Sequence, residues 1–154
     1  MVCTFFGHRD APEEIRRELR STIQKIVERD ANCVFYVGNQ GNFDRLVLTV
    51  LKELVEHYPS IRYYIVLSYL NDKRFPSEVP SVFPEGLESV PPRFVIDKRN
   101  RWMVEQADCV IAYVCHTFGG AAKYCDLASR KGKTVINLSG RSIAGISSDA
   151  TNGC

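Results

Sequence analysis

No apolar run in the chain approaches the roughly 18 residues that a membrane span needs, so no segment reads as a transmembrane helix. The opening stretch, Met1 to Gly7, has no basic leader and meets Arg9 and Asp10 too early for the apolar core of a secretory signal. A cytoplasmic protein with no membrane partner is therefore expected. Six cysteines, Cys3, Cys33, Cys109, Cys115, Cys125 and Cys154, contain no C-x-x-C pair. Zinc sites usually declare paired ligand spacing, and several of these residues lie within apolar runs, so core thiols are expected rather than staples or metal ligands. Charge of neither sign dominates: 20 Lys+Arg stand against 18 Asp+Glu, interspersed, for a formal charge of +2. A protein built to track a phosphate backbone would carry a basic, aromatic-interleaved stripe, so nucleic acid is not the expected partner. Internal repeats and low-complexity tracts are also missing, and 154 residues suit one domain with a real core.

What is present is an alternation of strands and helices. Five short apolar, β-rich runs occur at Val2 to Phe6, Cys33 to Val37, Tyr63 to Leu67, Cys109 to Cys115 and Thr134 to Leu138. They are continuous rather than alternating, as strands covered on both faces should be. Between the first two, Ile15, Leu19, Ile23, Ile26 and Val27 recur at helical spacing behind Pro12. Between the second and third, Asp44 opens a helix carrying Leu46, Val47, Val50, Leu51, Leu54 and Val55, which stops at Pro59. The segment from Asn71 to Pro92 holds five of the seven prolines and no period, which predicts a long loop. Helices follow at about Asp97 to Gln106 and Gly119 to Arg130, the latter ended by Gly132. The fold class expected is α/β: a Rossmann-like, mostly parallel open sheet of about five strands with helices on both faces, spanning 1–139. The Ser-, Gly- and Ala-rich stretch 140–154 reads as a weakly anchored tail.

In such a sheet ligands bind beyond the carboxyl ends of the strands, so the residues after each run are the candidates. Gly7, His8 and Arg9 follow the first strand; Gly38, Asn39, Gly41, Asn42 and Asp44 follow the second; His116, Gly119, Gly120 and Ala121 follow the fourth. The second and third of these turns place glycines just ahead of a helix, where free N–H groups and the positive dipole end can hold an anion. Neither turn is G-x-G-x-x-G or G-x-x-x-x-G-K-[ST], so the standard dinucleotide and triphosphate fingerprints are absent. His8 could act as an acid, a base or a donor to a phosphate or sugar hydroxyl. Arg99, in the run from Asp97 to Met103, offers a guanidinium fork suited to phosphate or carboxylate.

Four stretches, Gly38 to Asp44, Pro84 to Glu88, Lys98 to Met103 and Trp102 to Gly120, together resemble a bacterial branch of the SLOG superfamily related to YpsA-like proteins. The likeness runs from about Val2 to Leu138. It implies a Rossmann-like fold shared with the LOG phosphoribohydrolases, which split the N-glycosidic bond of nucleoside monophosphates, with the DNA-processing protein DprA, and with sensor domains for nucleotide-derived signals. The LOG motif P-G-G-x-G-T-x-x-E falls here on Phe118 to Asp126, so the resemblance places the phosphate-binding Gly pair on Gly119 and Gly120, the partner arginine on Arg99 and the acidic residue on Asp126. Phe118, Ala122 and Lys123 depart from that motif, and Asp126 is one methylene shorter than Glu. A weaker similarity to nucleoside deoxyribosyltransferases covers the later half, including Gly132 to Ile136.

The resemblance implies binding of a nucleotide or nucleotide-derived small molecule, as a sensor would. The alternative is an N-glycosidic hydrolase or transferase using Arg99 and Asp126 as its catalytic candidates. No cofactor and no metal is expected, and whether the chain forms a homo-oligomer is left open.

Overall fold

The structure is a computed structural model and describes residues 1–70, 72 and 79–141. Six parallel strands form one open sheet: β1 (Val2–Gly7), β2 (Val34–Val37), β3 (Arg62–Val66), β4 (Ser81–Val82), β5 (Cys109–Tyr113) and β6 (Thr134–Asn137), in the order β4-β3-β2-β1-β5-β6. This is the expected Rossmann-like α/β sheet with one strand more than the sequence reading gave. The extra strand, β4, lies inside the stretch read as a loop. Two residues between Pro80 and Pro84 are too short to display a period, and the pairing is made by Ile65 N–H to Pro80 O (2.9 Å) and Leu67 N–H to Val82 O (2.8 Å). Proline tolerates this position because, among the described residues, β4 is the edge strand and its outer side has no strand to donate to. Residues 71 and 73–78 of that stretch lie outside the described residues, as do 142–154 of the expected tail.

Strand alternation divides the core into two layers. Cys3 and Phe5 of β1 and Cys109, Ile111 and Tyr113 of β5 face one side, beneath α1 (Arg16–Arg29) and α2 (Gly41–His57). Leu19, Ile23, Ile26 and Val27 of α1, and Phe43, Leu46, Val47, Val50, Leu51 and Leu54 of α2, meet that face. Phe6 of β1 and Val110 and Ala112 of β5 face the other side, under α3 (Val95–Gln106) and α4 (Gly120–Arg130), which contribute Met103, Val104, Ala122, Tyr124, Cys125 and Ala128. Burial of both faces explains why the strands read as unbroken apolar runs. Thr4, fully buried on β1, donates its hydroxyl to Tyr36 O at 2.8 Å, so the one polar side chain of that strand is satisfied.

Helix starts differ from the sequence reading: α2 begins at Gly41 rather than Asp44, and α3 at Val95 rather than Asp97. In neither does the N-cap residue, Gln40 or Phe94, make a side-chain capping bond that would mark the start, and the acidic residue stands later in the first turn. Four cysteines, Cys3, Cys33, Cys109 and Cys125, are free and buried, as expected.

Chain order reverses at β1, which lies between β2 and β5, so the loops leaving β1 and β5 diverge to opposite faces and open a crevice at their carboxyl ends.

Candidate ligand cleft

A cleft of about 440 Å³ occupies that crevice. Ten of the residues expected to form a site line it: Gly7, His8 and Arg9 after β1, Gly38 and Asp44 around the β2–α2 turn, Arg99 from α3, and His116, Gly119, Gly120 and Ala121 from the β5–α4 turn. Asn39, Gly41 and Asn42 stand behind the lining, where they hold the loops. The Asn42 side-chain amide donates to Ala11 O, and its backbone N–H donates to Arg9 O at 2.9 Å, tying the start of α2 to the loop after β1. Asp126 is outside the lining: its side chain is half-exposed on α4 and accepts from Arg130 Nε at 2.8 Å, one helical turn away.

The glycines separate into two kinds. A Cβ on Gly7 would stand 2.2 Å from the Phe43 ring, and one on Gly38 would stand 2.7 Å from the Asp44 carboxylate. Gly41 combines φ +84° with a Cβ position 2.7 Å from the Arg9 backbone. These three are glycines because protein packs against them. At the β5–α4 turn the reverse holds: nothing lies within 4 Å of a Cβ on Gly119, and one on Gly120 would meet only Tyr124, at 3.9 Å. Gly119 has φ +90°, a conformation open to glycine, and it turns the chain into α4. The space above it belongs to the cleft, and the first N–H groups of α4, which have no partner inside the helix, border that space.

Arg99 is 2% exposed, and its guanidinium is engaged by protein: Nε donates to Asn100 Oδ1 (3.1 Å), and Nη1 donates to Asn39 Oδ1 and to Val66 O (3.3 Å). The expected fork is thus anchored to β3 and the β2–α2 turn, and it brings a fixed positive charge to the cleft wall. Asp44 accepts the Gln40 backbone N–H at 2.8 Å. Removal from water pushes its carboxyl up to about 6, while the Gln40 N–H and the charge of Arg99 pull the other way. Arg9 is exposed at the cleft, with Nη2 donating to Gln40 Oε1 at 3.4 Å.

Three rings form a ladder along one wall. His8 stacks on His116 at 3.9 Å between centroids and 17° between planes; His116 stacks on Phe118 at 3.8 Å and 11°. Two rings this close and this parallel to His116 must occupy opposite faces of it, so the order is His8, His116, Phe118. Tyr113 meets His8 edge-on at 6.1 Å. His8 Nε2 accepts the Cys115 N–H at 2.9 Å, which requires the neutral imidazole with its proton on Nδ1. Burial, followed by the charge of His116, lowers the pKa of His8, while Asp10 acts against them.

Reading the sequence alone missed the apolar floor, Phe5, Phe6 and Met103, and also Ile96, Phe118 and Tyr124. Tyr124 OH donates to Asp97 Oδ1 at 2.6 Å, and burial, then this bond, pushes its phenol up to about 12. Burial alone would raise Asp97, but hydrogen bonds from Tyr124, Lys123 and Arg101 outweigh it and hold this carboxyl well below the usual range. The pair therefore fixes α3 against α4 beside the cleft. A signal for Tyr124 was available, since it falls four residues after Gly120, one turn along the same helix face. Among the described residues no group of three or more His, Cys, Asp or Glu is placed to hold a metal ion, and no helix is long and apolar enough to cross a membrane.

No protein-family model matches the chain, and no curated protein does. Among solved structures it is similar to DNA processing protein A (DprA) from Streptococcus pneumoniae, with a TM-score of 0.62 and 16% sequence identity. The likeness covers 96% of this chain and 53% of that one, so this chain spans about half the length of its structural neighbour. What the two share is the fold, a Rossmann-type α/β sheet.

Proposed function

We propose that the chain is a SLOG-type domain of the YpsA-like branch, whose cleft binds a nucleotide or nucleotide-derived small molecule through its phosphate, in the manner of a sensor. The observation that carries this reading is the β5–α4 turn. Gly119 and Gly120 leave the first turn of α4 uncovered at the point where the sheet's crevice opens, which is where backbone N–H groups and a helix dipole favour an anion. Arg9 and Arg99 line the same cleft and add positive charge to it.

Hydrolysis of an N-glycosidic bond would need a carboxylate facing the sugar. Asp126, the carboxylate the LOG motif would supply, pairs with Arg130 outside the lining, and Asp44, which does line the cleft, is buried and engaged by the Gln40 N–H; this supports binding over that chemistry. The near-balanced charge favours a small ligand over a nucleic-acid strand.

Native mass spectrometry of the purified protein, followed by calorimetry with nucleoside monophosphates, tests the reading. A co-purifying or added nucleotide bound one per chain, without release of free base, is the expected result. Affinity for single-stranded DNA that falls steeply with salt, with no nucleotide binding, would replace the small ligand with a strand.

A further inference from the structure

The ring ladder ends at Phe118, and Phe118 is 70% exposed. One face of it is covered by His116. The exposed area is therefore mainly the outer face, a large apolar ring held parallel to two others at the mouth of a cleft. An isolated aromatic with this exposure would rotate freely; here the stack and the local backbone fix its orientation. The His116 Nδ1–H donates to Phe118 O at 3.0 Å, and His8 is pinned by the Cys115 N–H, so each lower ring is held by a backbone hydrogen bond. Phe118 also directly precedes Gly119 and Gly120, the uncovered turn proposed above for the phosphate.

Resting on that reading of the cleft, we infer that the outer face of Phe118 is the seat of the ligand's planar heterocycle, which continues the stack His8–His116–Phe118 as a fourth ring. The ladder is built in advance, so stacking there needs no reordering of the protein. A ring face attracts any base, because every base offers a π-face; the seat therefore selects for the presence of a base and discriminates weakly among bases.

The test compares adenosine monophosphate with ribose 5-phosphate, which keeps the phosphate and sugar and lacks the base, by calorimetry on the wild type, Phe118→Ala and Phe118→Trp. Base stacking measured by alanine substitution is commonly about 1–3 kcal/mol, or about 5- to 150-fold. The wild type should bind adenosine monophosphate about tenfold or more tightly than ribose 5-phosphate, with the other three monophosphates within a few-fold of adenosine monophosphate. Phe118→Ala should lose that preference and leave ribose 5-phosphate unchanged. Phe118→Trp should keep the preference, and its added indole should be quenched on binding. Equal affinity of the wild type for both ligands would overturn the base seat and leave the phosphate reading standing. So would Phe118→Ala that still prefers the nucleotide. If the wild type binds neither ligand, the nucleotide reading of the cleft falls and the base seat falls with it.

Discussion

His8 and Cys115 are joined by a single hydrogen bond, Cys115 N–H to His8 Nε2 at 2.9 Å, and this bond ties together the loops leaving β1 and β5 at one wall of the crevice. A second contact, His8 N–H to Tyr113 O at 3.3 Å, supports the same junction. Because an imidazolium has no acceptor, protonating His8 breaks the first bond and places a charge against His116. Beyond the β1–β5 ladder, the loops leaving the two strands are therefore linked through a group that must stay neutral.

The pH consequence has a definite sign. His8 has a folded pKa lowered from 6.5, so below that pH the unfolded chain takes up protons that the folded chain resists. Its contribution is complete above about pH 6.5 and is lost as pH falls through the lowered folded value. His8→Phe keeps a ring for the stack and removes the acceptor. It should destabilise the protein at pH 8 by about 1 kcal/mol, the usual effect of leaving one N–H unpaired. The difference from wild type should shrink at pH 5, where wild-type His8 no longer contributes. Urea unfolding at both pH values measures this; a constant difference would contradict the linkage.

Asp44 has the opposite sign. With its carboxyl raised from 3.8 to about 6, the folded state holds a proton that the unfolded state has released, so stability falls as pH rises between those values. Asp44→Asn keeps an oxygen for the Gln40 N–H and removes the charge. The variant should be more stable than wild type at pH 8, by about 1 kcal/mol or about 2–4 °C in melting temperature for a domain of this size. Near pH 4 the two should converge. A variant less stable than wild type at pH 8 would mean that attraction to Arg99 outweighs the burial.

Gly41 and Gly119 both have positive φ but should respond differently to alanine. At Gly119 the change meets only the strain of a backbone at φ +90°, ψ 173°, about 1–3 kcal/mol. At Gly41 it meets a positive φ of +84° and in addition a Cβ 2.7 Å from Arg9 Cα, backbone that cannot turn aside. Gly41→Ala should therefore be clearly the more destabilising of the two in chemical denaturation. Equal losses would mean that the loop after β1 moves easily.

The strands and both long helices were legible because each is buried on a simple pattern: unbroken apolar runs for Val2–Gly7 and Cys109–Tyr113, and helical spacing for Leu19, Ile23, Ile26 and Val27. β4 was not, because two residues have no period and their strand character comes entirely from pairing with β3. Turn positions after the strands pointed to the cleft, and His8, Arg9, Asp44 and His116 of its polar lining were read that way. The roles within those turns were not readable. Gly7, Gly38, Gly41, Gly119 and Gly120 look alike in sequence, and only their neighbours in space separate packing glycines from open ones. Arg99 was expected to present its fork to a ligand; its burial against Val66 O and Asn39 depends on a strand and a turn far away in the chain. The ring ladder escaped notice because His8 and His116 are far apart in the chain and meet only through the pairing of β1 with β5.

The central claim, a phosphate held at the start of α4, is tested most directly by Gly120→Val. Gly120 has no positive φ, and beyond its chain neighbours and its own helix backbone its Cβ would meet only Tyr124, at 3.9 Å, so the variant should fold with wild-type circular dichroism and melting temperature. Its side chain would occupy the space above the exposed N–H groups. Calorimetric titration with adenosine monophosphate should show wild-type binding and, in the folded variant, affinity reduced at least tenfold. Wild-type affinity in a folded Gly120→Val protein would contradict the account and move the phosphate away from this turn.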